Sequence, residues 1–201
     1  GNITSQVAYG NKKWGLAVGY RYGQCDTKLR TGTQFLTTNS YFIPCRIENK
    51  KGFEKRTEAD TNSWSFNAFW RPTDSSWIPS ISAGVGTTYT GGDFHGYYKR
   101  KGIARGNQFA SWMVGLQWSD VFMEGNDLGF AVGQSQFATA TSNNDSEDGN
   151  YVMELWYQFQ VTDNIAITPG VFWLSRPWGQ YTPDNKSVGV LGGLVQTVFK
   201  F

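Results

Sequence analysis

Hydrophobic and polar positions alternate with a period of two along most of the chain. The run "NYVMELWYQFQV" places Tyr151, Met153, Leu155, Tyr157, Phe159 and Val161 on one side, against Glu154, Trp156, Gln158 and Gln160 on the other. "NQFASWMVGLQW" sets Trp112, Val114, Leu116 and Trp118 against Ser111, Gly115 and Gln117, and "NSWSFNAFW" sets Trp64, Phe66, Ala68 and Trp70 against Ser63, Ser65 and Asn67. "WGLAVGYR" repeats the split, with Trp14, Leu16, Val18 and Tyr20 opposite Gly15, Ala17, Gly19 and Arg21. A strand turns successive side chains to opposite faces, so each run reads as a strand with one apolar face and one small or polar face. The pattern predicts strands over 2–9, 14–22, 61–70, 77–89, 107–118, 126–138, 150–161, 165–176 and 188–201.

Two architectures compete for such strands. In a soluble sandwich each sheet buries one face against a partner sheet, and large rings seldom crowd the solvent side. In a transmembrane barrel the apolar face meets lipid, rings gather near both ends of the strands, and the other face meets water. The rings here fall near both ends of the apolar faces, and the opposite faces are small or polar. The connections agree. In order they are short ("GNKK"), long (23–60), short ("RPTDSS"), long (90–106), short ("SDVFMEG"), long (139–149), short ("TDN") and long (177–187). Such hairpins put the short turns on one rim and the long loops on the other, as an outer-membrane meander does and a Greek key does not. The reading is all-β: a transmembrane antiparallel meander β-barrel. Pro79 and Pro169 fall inside predicted strands and require a strand end or a bulge there. An odd number of strands would leave unpaired edges in lipid, so residues 1–201 are expected to be a portion of one larger barrel domain.

Composition narrows the chemistry. No apolar run approaches the roughly 20 residues that a membrane helix requires. Strands with a single apolar face escape that test, and 16% aromatic residues with 24 Gly supply rings for girdles and small residues for close wall packing. A net charge of +2 without a clustered basic face does not call for nucleic acid. Cys25 and Cys45 are the only cysteines, and the polar, turn-rich stretch between them fits one loop disulfide made in an oxidising compartment. With the single His95 they form a poor ligand set, so no metal or other cofactor is expected. Clustered carboxylates in "SNNDSEDGN" suit Ca²⁺ on one reading and a solvated surface loop on the other. An enzyme is not expected. A Ser–His hydrolase would use His95, but Ser80 and Ser82 occupy ordinary small-residue strand positions, and no glycine-rich phosphate loop is present.

Four long stretches carry a resemblance: "WRPTDSSWIPSISAGVG" (70–86), "GLQWSDVFMEGNDLGFAVGQSQF" (115–137), "EDGNYVMELWYQFQVTDNIAITPGVFWLSRPWG" (147–179) and "VGVLGGLVQTVFKF" (188–201). Together they resemble the C-terminal half of the cyanobacterial major outer-membrane porins, often called iron-uptake porins, of the OprB-like carbohydrate-selective porin superfamily. Residues 61–201 carry the likeness well; residues 1–60 fit less closely, and the loop between Cys25 and Cys45 looks like an insertion. The resemblance implies a homotrimer of barrels with about sixteen strands each, integral to the outer membrane, passing small hydrophilic solutes and inorganic ions, iron species or sugars among them. It also implies an N-terminal S-layer-homology domain and coiled linker, neither of which is visible in these residues. Phe199 and Phe201 correspond to the family's closing-strand aromatics, read by the barrel-assembly machinery.

Parity then assigns a water-facing set. Arg21, Glu154, Trp156, Gln158, Phe172, Arg176, Gln196 and Lys200 fall on lumen-side positions, where substitutions tune selectivity more than stability. Trp156 and Phe172 are either a stacking platform for sugars or space-filling groups against an inward loop. His95, Lys99, Arg100, Lys101 and Arg105 lie in the most basic loop, "HGYYKRKGIARG". Folded into the lumen, that loop makes a cationic constriction favouring anions; on the outer rim it binds acidic surface polymers. The rival from another class is a secreted, Trp-rich β-sheet lectin, which binds glycans rather than passing them.

Overall fold

The computed structural model describes residues 2–25, 32–37, 45–48, 54–56, 59–73, 77–91, 106–142, 147–184 and 186–200. The strands, in chain order, are β1 (Asn2–Gly10), β2 (Trp14–Gln24), β3 (Arg46–Glu48), β4 (Glu54–Arg56), β5 (Asp60–Trp70), β6 (Ser80–Thr90), β7 (Gly106–Ser119), β8 (Asp127–Thr141), β9 (Val152–Thr162), β10 (Ile165–Ser175) and β11 (Gly189–Phe199). Nine of them form one antiparallel sheet in the order β1-β2-β5-β6-β7-β8-β9-β10-β11, a pure meander, while β3 and β4 pair only with each other. All nine strands expected from the alternation are present. The β3–β4 ribbon inside the first long connection was not foreseen.

Local chemistry sets the strand ends. In the first hairpin the Asn11 side-chain oxygen accepts from the N–H groups of Lys13 (2.7 Å) and Trp14 (3.1 Å), closing the turn before β2. In the turn from β7 to β8, Asp120 accepts from the Gly125 N–H at 2.7 Å, and Gly125 takes a φ of 83° that glycine adopts without strain. β6 starts at Ser80 rather than at Trp77, immediately after Pro79, which has no N–H for a ladder. Pro169 stays inside β10 and pairs with Val195 of β11; on the β9 side the ladder passes from Ile167↔Phe159 to Gly170↔Trp156 and skips the proline. β10 ends at Ser175, because Arg176 turns to a φ of 42°.

The register aligns the two kinds of face across strands. Gly19, Ser65, Gly86 and Ser111 form one cross-strand row, and Val18, Phe66 and Val85 form a row on the other side. On the apolar face the spacing of rings repeats. Trp14 and Tyr20, Trp64 and Trp70, Trp112 and Trp118, and Tyr151 and Tyr157 are each six residues apart, about 20 Å along a strand, which matches two girdles bounding an apolar band roughly 25 Å tall. Between them lie exposed aliphatic side chains, among them Leu16, Val85, Leu155 and Val171. Several of the polar tips are hydrogen-bonded: Tyr20 donates to Asn62 (2.6 Å), Trp112 to Gln134 (2.6 Å) and Trp118 to the Trp77 carbonyl (3.0 Å), as half-buried amphipathic rings usually are. Among the described residues no helix is long and apolar enough to cross a membrane.

The apolar core lies elsewhere. Phe35 and Leu36, 1% and 0% exposed, cluster with Phe109 of β7 and Ala138 of β8 at the long-loop end of the sheet.

Candidate functional site: the polar face of the sheet

The face opposite the rings is a wall of small and polar side chains. Ser65, Asn67, Gly84, Gly86, Ser111, Gly133 and Glu154 line a shallow trough across β5 to β9, with the apolar Met113 and Val152 beside them. Three of the rings on this wall, Phe69, Trp156 and Phe172, each lie on a glycine of the neighbouring strand. A side-chain carbon at Gly15, Gly129 or Gly192 would collide with Phe69, Trp156 or Phe172 respectively. The glycines leave room for the rings to lie close against the sheet.

The sequence-predicted residues fall on this face as follows. Arg21 is exposed on β2, across from Ser63. Glu154, Trp156 and Gln158 are half-buried on β9, opposite Ala131, Gly129 and Asp127, and Phe172 on β10 stands next to Glu154. Gln196 sits on β11 opposite Thr168, and Lys200 lies just past that strand, its N–H bonded to the Asn164 carbonyl at 2.9 Å. The face is not purely polar, since Leu194 and Val198 share it on β11. Arg176 lies beyond β10, and its guanidinium donates to the carbonyls of Glu147 (3.0 Å) and Gly179 (3.4 Å), so it braces the loops. Phe199 ends β11 opposite Ile165, on the apolar face. His95, Lys99, Arg100, Lys101, Arg105 and Phe201 lie outside the described residues.

At the long-loop end, residues 32–37 are laid against the polar face. The Thr33 N–H donates to the Gln136 carbonyl (3.2 Å) and the Gln34 N–H to the Pro177 carbonyl (3.0 Å), while Phe35 meets the Tyr181 ring edge-on at 5.5 Å. Asp148 clamps the assembly. Its carboxylate accepts from the Thr33 hydroxyl (2.8 Å), the Ala138 N–H (2.8 Å) and the Gln180 N–H (3.1 Å), tying the loop to β8 and to the turn Gly179–Tyr181. Those donors occupy the carboxylate, and among the described residues no group of side chains is arranged to hold a metal ion. Below the clamp, hydroxyls continue along the wall, from Gln136 to Thr88 (3.3 Å) and from Thr88 to Ser63 (2.9 Å).

Sequence reasoning missed this clamp. The signal available was the apolar pair Phe35–Leu36 in an otherwise polar connection. The same connection carries the Cys25–Cys45 disulfide, with Cα atoms 4.9 Å apart. Closing a loop of this length contributes about 3 kcal/mol in the chain-entropy model. Replacing both cysteines with Ser is expected to speed trypsin cleavage after Lys28 and Arg30 in the folded protein. Equal cleavage rates in the two forms would show that the bridge does not restrain the loop.

Known proteins of the same build put this wall in context. A solved anion-selective porin from Comamonas acidovorans superimposes with a TM-score of 0.52 over 98% of this chain and 46% of its own, at 12% sequence identity. An uncharacterized protein of Nostoc sp. is 29% identical over 163 residues, 81% of this chain and 25% of that protein. An uncharacterized protein of Synechocystis sp. is 42% identical over 73 residues, 34% of this chain and 13% of the relative. The chain thus spans about a quarter of the Nostoc relative's length and less than half of the solved porin. A family profile, that of the carbohydrate-selective porins, matches residues 3–201. That match takes in all nine strands of the sheet, and the chain belongs to the OprB family of carbohydrate-selective porins.

Proposed function

We propose that these residues form part of the wall of a water-filled outer-membrane channel that lets small hydrophilic solutes and inorganic ions diffuse passively. The supporting observation is the two-sided sheet: an apolar face bounded by two rows of rings, and a small, polar face onto which a loop segment folds. A secreted lectin would hold the first face in water, where so large an apolar surface invites association. The remaining strands of a barrel of about sixteen, assembly as a homotrimer, contact with outer-membrane lipid, and recognition of the C-terminal strand by the barrel-assembly machinery belong to the same proposal, on the family's example. Sugars and iron species are the solutes proposed. Full-length protein in planar bilayers is expected to give discrete conductance steps, and purified protein that inserts without conducting would overturn the channel reading.

The basic loop sets the proposed ion preference. Lys99, Arg100, Lys101 and Arg105 bring four positive charges with no acid between them, and a charged ring at a constriction fixes the sign of the preferred ion. Replacing all four with Gln is expected to shift the reversal potential in a salt gradient towards cations. An unchanged potential would place the loop on the outer rim, where its charges are screened within about 8 Å at physiological salt.

A further inference from the structure

Near the short-turn end of the polar wall a groove of about 250 Å³ is lined by Phe69, Arg71, Ser80, Ser82, Gln117 and Trp156, with Met113, Gly115 and Ala131 forming its floor. Arg71 carries the only charge among its lining residues. The guanidinium carbon lies 5.3 Å from the centre of the Phe69 ring, a cation–π contact that leaves its charge in place. Among the described residues no carboxylate pairs with it. Asp127 on the same wall accepts from the Gln117 amide at 2.9 Å. At the other end lies Trp156, its indole laid over Gly129.

These features ask for two things at once. A planar, unpaired guanidinium selects a carboxylate or phosphate, which it can hold with two parallel hydrogen bonds. An indole flat on a wall offers a face to a ring, and the hydroxyls of Ser80 and Ser82 lie between them as hydrogen-bond groups. Ser80 pairs with Gln117 and Gln117 with Gly129, so Arg71 and the glycine beneath the indole are three strands apart, about 14 Å between backbones. The arginine side chain covers part of that span, and one six-membered ring fits the remainder. We infer that the groove is a binding site for a sugar acid, with its carboxylate on Arg71 and its ring against Trp156. A neutral sugar would forgo the guanidinium, and an inorganic anion would forgo the indole. The inference rests on the channel reading for its physiological meaning, though binding itself does not require conduction.

The test uses full-length protein, with glucuronate and glucose as probes. In planar bilayers, glucuronate added on the short-turn side is expected to interrupt the current at millimolar concentration, and glucose to do so more weakly. Arg71→Gln should weaken the glucuronate effect about tenfold, the scale of one charge-assisted contact, and Arg71→Lys should restore part of it. Lys13→Gln removes a charge at the same rim outside the groove, where Lys13 bonds Thr73 at 3.1 Å, and should keep the effect. Calorimetry with the same probes on detergent-solubilised protein reads binding independently of conduction. Binding that persists unchanged in Arg71→Gln, glucose bound as tightly as glucuronate, or no glucuronate binding in the unmodified protein would each overturn the site, whereas a protein that binds without conducting would overturn the channel reading alone.

Discussion

Arginine placed at Val114 is expected to destabilise the folded protein in a lipid bilayer by about 2–4 kcal/mol, and arginine at the adjacent Met113 by far less. Val114 lies between Trp112 and Trp118 and pairs with Ala83 on one side and Val132 on the other, all on the face that carries the rings. A guanidinium there has no water and no partner. Met113, one residue earlier, turns to the opposite face, pairs with Gly84 and Gly133, and is 43% exposed, so a charge there enters solvent. Gly115 is a poorer comparison, because a side-chain carbon would sit 2.7 Å from the Ser82 hydroxyl and add a steric cost. Equilibrium unfolding in lipid vesicles, followed by the heat-modified mobility of the barrel, measures both variants. Equal losses at the two sites would remove the assignment of faces, and a larger loss at Met113 would reverse it.

The strands could be read because the two faces of the sheet make opposite demands on alternate residues, so the period of two is written into every segment. Parity fails where the backbone inserts a residue. In β8, counting by twos from Phe130 and Val132 through Gln134 places Gln136 and Ala138 on the outer face with them. A register shift between the rows of Trp112 and Ala110 moves them inward instead, where Ala138 pairs with Phe109 and the Gln136 amide reaches Thr88. A bulge leaves no mark on composition, and this one sits where the inward loop docks.

The site was less legible than the sheet for a related reason. Trp156 and Phe172 could be placed by parity alone, but that each lies on a glycine of the next strand depends on register. Arg71 follows the last residue of β5 and has no alternating neighbour beyond it, so its place over Phe69 emerges only once the turn is folded. Asp148 read as one acid among several in a polar loop. Its role comes from three donors brought from positions 33, 138 and 180, contacts too distant in sequence for local pattern to reveal.

Truncating Phe35 to Ala should release residues 32–37 from the wall and raise the single-channel conductance of the full-length protein. The ring is 1% exposed against Leu36, Phe109 and Ala138, and removing a buried phenyl group costs about 3–5 kcal/mol. The strands are held by their own ladders, so the loss should appear as local undocking with the sheet intact. Asp148→Ala attacks the same segment from its polar side. It removes the carboxylate that accepts from the Ala138 and Gln180 N–H groups and from the Thr33 hydroxyl, and bonds to a charged group contribute roughly 1.5–3 kcal/mol each. Because either change frees the same six residues, 32–37, the double variant should conduct no better than the more open single one, a non-additivity expected of coupled sites. Additive increases would mean that the two residues restrain different parts of the pore. Unchanged conductance in both variants, with the barrel still resistant to heat, would show that the docked segment does not narrow the path.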